Sequence, residues 1–159
     1  TTNRTGEFIM NIKQKEVLLK GINATRIAQR KGGGGRSLSY LEAWDVKAHL
    51  IRIFGFGGFS SEVLTSELVF EEKMEKNWSV GYKVELRLHI KELDATYTEA
   101  AVGSAMLPQR GEAHDMAVKT AESDALKRAA INLGDQFGLS LYKNGQTAPV
   151  VMETLADNE

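Results

Sequence analysis

An α+β fold is what the sequence predicts: an antiparallel three-stranded meander, then a long helix, with further helices ahead of the sheet. Three observations carry this. Over residues 78–90 every even position is apolar or aromatic (Trp78, Val80, Tyr82, Val84, Leu86, Leu88, Ile90), and the odd positions are Ser79, Gly81, Lys83, Glu85, Arg87 and His89. A period of two describes a strand with one dry and one wet face. The stretch "HDMAVKTAESDALKRAAINLGDQFG" places Val118, Ala121, Ala125, Leu126, Ala129, Ala130 and Leu133 on one side of a helix,. Upstream, Leu41, Trp44, Ala48 and Ile51 recur at helical spacing before the glycines at 55, 57 and 58,.

The elements follow in chain order. Residues 8–20, "FIMNIKQKEVLLK", read as a short helix or an adaptable arm. Residues 22–30 read as one or two helical turns capped by Asn23 or Thr25. Four consecutive glycines at 32–35 carry too much backbone entropy for regular structure,. Ser39, Tyr40, Leu41 and Glu42 match a capping box, so the next helix is expected to start there and to end near Phe54. A strand over 59–70 precedes the central one, with a turn at 73–77. A weaker strand over 96–104 follows a turn at 93–95, giving a meander by short connections. Residues 108–112 read as a loop, Asp115 as the cap of the long helix, and Gly134 as its left-handed stop. The tail from Lys143 is polar and expected to be loose.

Composition narrows the function. At 159 residues with 42% hydrophobic and 26% charged positions, the chain suits one domain with a real core,. It has no cysteine, hence no disulfide framework or thiolate metal site,. No apolar run reaches the roughly 18–20 residues that span a bilayer, and the first residues lack a signal-peptide pattern, so no membrane role is expected. The short glycine motifs fail as nucleotide sites. "KGGGGRS" lacks the P-loop spacing, and "GFGGFS" follows a helix rather than a strand,. His49, His89 and His114 have no ligand spacing, and no serine sits in a nucleophile elbow. No catalytic set, metal or cofactor is expected.

Charge is segregated instead. The net charge is −1, yet residues 22–41 hold Arg26, Arg30, Lys31 and Arg36 without an acid. A second basic group is Lys119, Lys127 and Arg128, with Asp124 poised to pair with Arg128,. Arginine presents a planar fork that pairs with phosphate oxygens, and glycines let backbone amides approach the same anion. For the first group the residues alone leave two readings open, a phosphate grip and a solvated loop. For Lys127 and Arg128 they favour an ordinary helix surface.

Two stretches, "RKGGGGRSLSYLEAWDVKAHLIRIFGFGGFSSEV" and "AVKTAESDALKRAAINLGDQFGLSLY", with "SVGYKVELRLHIK" between them, resemble the DNA-annealing domain of the Rad-fifty-two family over residues 17–142. The resemblance implies a β-β-β-α core with flanking helices and side-by-side assembly of copies into a ring or arc. It also implies single-stranded DNA in a basic groove around that assembly, and annealing of a complementary strand without ATP. It matches Arg30 to the family's DNA-contacting arginine, and Lys127 and Arg128 to its basic helical pair. Lys119 stands one position from where that helix is often basic. Ile131 stands where many relatives have another arginine, which Arg36 or Lys31 would offset. Lys73 and Lys76 are candidates for a second, outer DNA site.

These readings divide the chain into an N-terminal arm or helix (1–21), an annealing domain for oligomerisation and DNA binding (22–142) and a flexible tail (143–159). The expected role is single-strand annealing in recombination and repair. The alternative is an oligomeric assembly protein whose basic patch binds an acidic protein. The expected location is the cytoplasm of a bacterial or phage-infected cell, or a nucleus or organelle if the source is eukaryotic. Tyr40, Phe56 and Phe59 are candidates for base stacking, with core packing the favoured reading for each.

Overall fold

The computed structural model describes residues 10–157; the first nine positions of the expected arm and the last two of the tail lie outside it. The chain divides into two compact units. The second comprises Ser60–His89 and Thr96–Ala129, and the remaining described residues form the first.

In the first unit, α1 (Ile12–Leu18) begins with a reciprocal cap: the Asn11 side chain accepts from Lys13 N, and Gln14 Oε1 accepts from Asn11 N. One 3₁₀ turn, Ala24–Arg26, is capped by Asn23. The helical reading of 22–30 stops there, because strand β1 (Ala28–Lys31) pairs antiparallel with β2 (Ser37–Tyr40). The glycine run closes this hairpin. Gly32 N donates to Arg36 O at 2.6 Å, and Gly34 and Gly35 take φ of 75° and 77°, where a side chain would be strained,.

This pairing overturns the capping box. Ser39 and Tyr40 are drawn into β2 opposite Gln29 and Ala28, and α2 (Ala43–Phe54) starts only after Glu42. The Glu42 carboxylate, free of capping duty, accepts the Trp44 indole N–H at 2.6 Å. Trp44 therefore stands 65% exposed, and α2 buries Val46, His49, Leu50 and Phe54 instead, with Leu41 buried ahead of it. Ile22, Leu133 and Phe137 are also buried in this unit. Gly134 ends the helical run at φ 100°, but with ψ −154°; the left-handed helical conformation belongs to Gly138. Within the tail, Val151 N donates to Asp135 Oδ2 at 2.9 Å.

The second unit is built on a sheet of order β3-β4-β5: Phe59–Lys73, Trp78–Ile90 and Ala95–Leu107. The outer strands run longer than the sequence reading, since cross-strand pairing extends a strand past its alternating residues. Turns at Met74–Asn77 and Lys91–Asp94 are too short for anything but antiparallel neighbours,. Val80, Val84, Leu86 and Leu88, all even positions, are at most 1% exposed. Helix α3 (Arg110–Ala130) starts inside the expected loop. Gln109 O accepts from Ala113 N, and Asp115 lies within the helix, bonded to Lys119 rather than capping.

Alanine lets α3 lie close to the sheet. Ala113, Ala117, Ala121 and Ala125, one turn apart, are all fully buried, and Val80 packs with Ala113 and Ala117. A Cβ on Gly103 of β5 would lie 2.3 Å from Ala121 N and 2.7 Å from Ala117 O. Gly103→Ala is thus expected to push helix from strand and cost about 1–3 kcal/mol, as overpacking does. Chemical denaturation checks this; an unchanged midpoint would mean the contact is loose.

Candidate nucleic-acid interface

The β1–β2 hairpin displays the first basic group. Its register sets Ala28 opposite Tyr40, Arg30 opposite Leu38 and Lys31 opposite Ser37. Alternation then sorts the side chains. Arg30 shares a face with Leu38 and Tyr40, whereas Lys31 shares the other with Ser37 and Gln29. The Arg30 guanidinium lies over the Tyr40 ring, 5.6 Å from its centroid. This stacking orients the fork without using its N–H donors. Arg36 stands at the glycine tip. Among the described residues no carboxylate pairs with Arg30, Lys31 or Arg36.

Arg26 is employed differently. Its side chain is 11% exposed, and Nη2 meets Asp45 Oδ2 at 2.9 Å while Nε reaches the same oxygen at 3.1 Å. Nη1 donates to Gln136 O at 2.8 Å. Gln136 ties the network together. Its Nε2 donates to Lys20 O and Gly21 O at 2.9 Å each, and its Oε1 accepts from His49 Nε2 at 2.8 Å. Arg52 Nη1 then donates to His49 Nδ1 at 3.2 Å, which requires a neutral ring protonated on Nε2,.

Burial first, and then the Arg26 charge, hold the His49 pKa below the ordinary 6.5. Just below that pH the folded protein binds fewer protons than the unfolded chain. Stability from this site is therefore complete above about pH 6.5 and is lost as the pH falls toward the depressed folded value. The melting temperature of the wild type is expected to fall between about pH 7 and pH 5 more steeply than that of His49→Gln. Parallel profiles would show that His49 is not the group responsible.

The second basic group lies on α3 in the other unit, with each cation near an acid. Lys119 Nζ meets Asp115 at 2.7 Å, Lys127 Nζ meets Asp124 at 3.3 Å, and Arg128 Nε lies 4.0 Å from Glu99. Asp124 thus pairs with Lys127, not with Arg128 as the spacing suggested. The side chains are 67%, 27% and 59% exposed in that order. Such solvent-screened pairs contribute about 0–1 kcal/mol, little enough for a phosphate to displace the acid.

Sequence reasoning missed a polar cluster in the same unit. Tyr82 Oη bonds to His114 Nδ1 at 2.6 Å, and His114 Nε2 donates to Glu71, which also receives Arg110 Nε and Nη2 at 3.1 and 3.0 Å. The His114 hydrogen bond, followed by that of Arg110, keeps the Glu71 carboxyl below the ordinary range. Arg110 and Lys73 both lie over Trp78, at 5.0 and 5.3 Å from the ring centroid. No spacing rule links positions 71, 82 and 114, so only the fold could reveal them. Of the three aromatics considered for stacking, Tyr40 and Phe59 are half-buried, while Phe56 is 93% exposed.

Among the described residues no cluster of three His, Cys, Asp or Glu side chains could hold a metal, and no helix is long and apolar enough to cross a membrane.

Comparison with known proteins gives a consistent family. A model described as "Rad52/22 family double-strand break repair protein" matches residues 11–158. The DNA repair and recombination protein rti1 of Schizosaccharomyces pombe is 34% identical over 134 residues, covering 82% of this chain and 35% of that protein. Rad22 of the same yeast is 33% identical, covering 79% and 27%. RAD52 of Saccharomyces cerevisiae is 30% identical, covering 77% and 26%. The chain therefore spans between about a quarter and a third of the length of these relatives.

Proposed function

The chain belongs to the Rad52/22 family of double-strand break repair proteins, and from that premise we propose that it binds single-stranded DNA by its phosphates and anneals complementary strands without ATP. The observation that carries this reading is the hairpin: Arg30 is oriented by Tyr40 and, among the described residues, free of any carboxylate partner, beside a glycine tip that bears Arg36. Arg30 is the principal contact. Lys31, on the opposite hairpin face, adds field rather than a second fork. Lys127, Arg128 and Lys119 supply phosphate contacts from α3. Arg26, buried against Asp45, supports the hairpin and is left out of the contact set.

A net charge of −1 is compatible with this role if copies of the chain assemble side by side. A modest patch repeated in a ring or arc becomes a continuous positive track. Holding phosphates leaves base edges free to test a second strand, so binding should be indifferent to sequence. Residues 22–142 carry the activity in this reading.

The test is filter binding of mixed-sequence single-stranded DNA together with a complementary-oligonucleotide annealing assay. Tight binding at low salt and faster pairing, equal with and without ATP, are expected. No binding at low salt would defeat the proposal and favour an acidic protein as the partner of the patch.

A further inference from the structure

Among the described residues Phe56 is the most exposed large apolar side chain, at 93%, and the chain around it is shaped to keep it there. It sits between Gly55 and Gly57, whose φ values are 83° and 74°. A Cβ on Gly58 would lie 2.1 Å from Phe54 O, so no other residue fits that turn. The turn is pinned from three sides: Gly55 N donates to Ile51 O at 2.8 Å, Gly58 N to Gly55 O at 3.0 Å, and Lys91 N to Gly58 O at 3.0 Å. An aromatic ring is thus presented to solvent on a fixed support, a combination that has no value for the monomer's own core.

Resting on the DNA-binding reading above, we propose that Phe56 is a stacking platform for one nucleobase of the bound single strand. The surroundings favour a base over a protein side chain. A protein hot spot sits within a packed apolar patch, whereas the chain neighbours of Phe56 are glycines. Two exposed cations flank the turn, Arg52 on the last turn of α2 and Lys91 at its anchoring bond. An apolar face with adjacent positive charge matches a base joined to its phosphates. Of the nearby acids, Glu92 is engaged by Gln14 Nε2 at 2.6 Å and Asp45 by Arg26 and Arg52, while Asp94, whose N donates to Lys91 O at 3.1 Å, is exposed.

The experiment compares wild type, Phe56→Ala and Phe56→Tyr on two oligonucleotides of equal length: oligo-dT, and an abasic strand with the same phosphates. Removing one stacked base costs about five- to a hundredfold in affinity. Phe56→Ala is expected to lose that factor on oligo-dT and nothing on the abasic strand, with Phe56→Tyr close to wild type on both. Equal losses on both strands, or none on oligo-dT, would overturn the inference. A drop in oligomer size for Phe56→Ala in size-exclusion chromatography would also overturn it, by showing a contact between copies. Failure of the wild type to bind either strand would instead remove the DNA-binding reading, and this inference with it.

Discussion

Arg30→Glu is expected to lower affinity for single-stranded DNA by more than about a hundredfold at physiological salt while leaving the melting temperature unchanged. A charge-assisted hydrogen bond to phosphate contributes about 1.5–3 kcal/mol, which is roughly ten- to a hundredfold. Reversal removes that bond and sets a carboxylate against the same phosphate. In an assembly the loss recurs in every copy. The fold should not suffer, because among the described residues Arg30 has no ion-pair partner and its stacking on Tyr40 is half exposed. Arg30→Lys is the finer probe: it keeps the charge but loses the planar fork and most of the stacking, so an intermediate loss is expected. Fluorescence anisotropy with labelled oligonucleotide gives the affinity and thermal denaturation the fold. Binding within about threefold of wild type would defeat the assignment of Arg30.

Asp45→Ala is expected to destabilise the unit that carries the hairpin by about 3–5 kcal/mol, the usual consequence of stranding a buried charge. Asp45 is 4% exposed and meets both Arg26 and Arg52. Its removal leaves the Arg26 guanidinium with only the Gln136 carbonyl and amide oxygens as acceptors. Against a total stability of about 5–15 kcal/mol for a domain, that is a severe loss. The double variant Arg26→Met with Asp45→Leu should recover much of it, since the desolvation penalty of a buried pair nearly offsets its attraction. Arg26→Met alone, set beside the double variant, decides what Arg26 does. As a support, Arg26→Met destabilises, and the double variant regains DNA binding along with its fold. As a phosphate contact, Arg26→Met would weaken DNA binding with no change in the melting curve.

What the sequence made legible depended on how far the deciding interactions reach. Strand β4 was readable to the residue because its alternation reflects one buried face, and the face is what selects the register. The alanine side of α3 was readable for the same reason, but its first turn was not, because Arg110, Gly111 and Glu112 carry no apolar signal. The β1–β2 hairpin was missed because "AQRK" and "SLSY" are too short to show a period, and Ser39 with Glu42 imitates a cap. Only the pairing across the glycine loop shows that Ser39 belongs to a strand.

The candidate site divides similarly. That Arg30, Lys31 and Arg36 form one basic group along the chain, and Lys119, Lys127 and Arg128 another, is local information. Which of them are engaged is not. The Arg26 partners lie 19 and 110 positions away, and Arg128 turns to Glu99 on a strand rather than to Asp124 on its own helix. The exposure of Phe56 was misjudged because an aromatic beside a helix end is usually core. The glycine turn that holds it outward is decided by backbone contacts with Phe54 and Lys91.

The claim on which the rest depends is that the hairpin cations grip a sugar-phosphate chain. Its most direct test is the salt dependence of binding to a mixed-sequence single strand, for wild type and for Arg30→Gln. For single strands log K falls linearly with log salt by about 0.7 per neutralised phosphate. A steep wild-type line, shallower by about 0.7 per copy engaged in Arg30→Gln, is the expected result. Parallel lines for the two proteins, or a wild-type affinity that ignores salt, would contradict it.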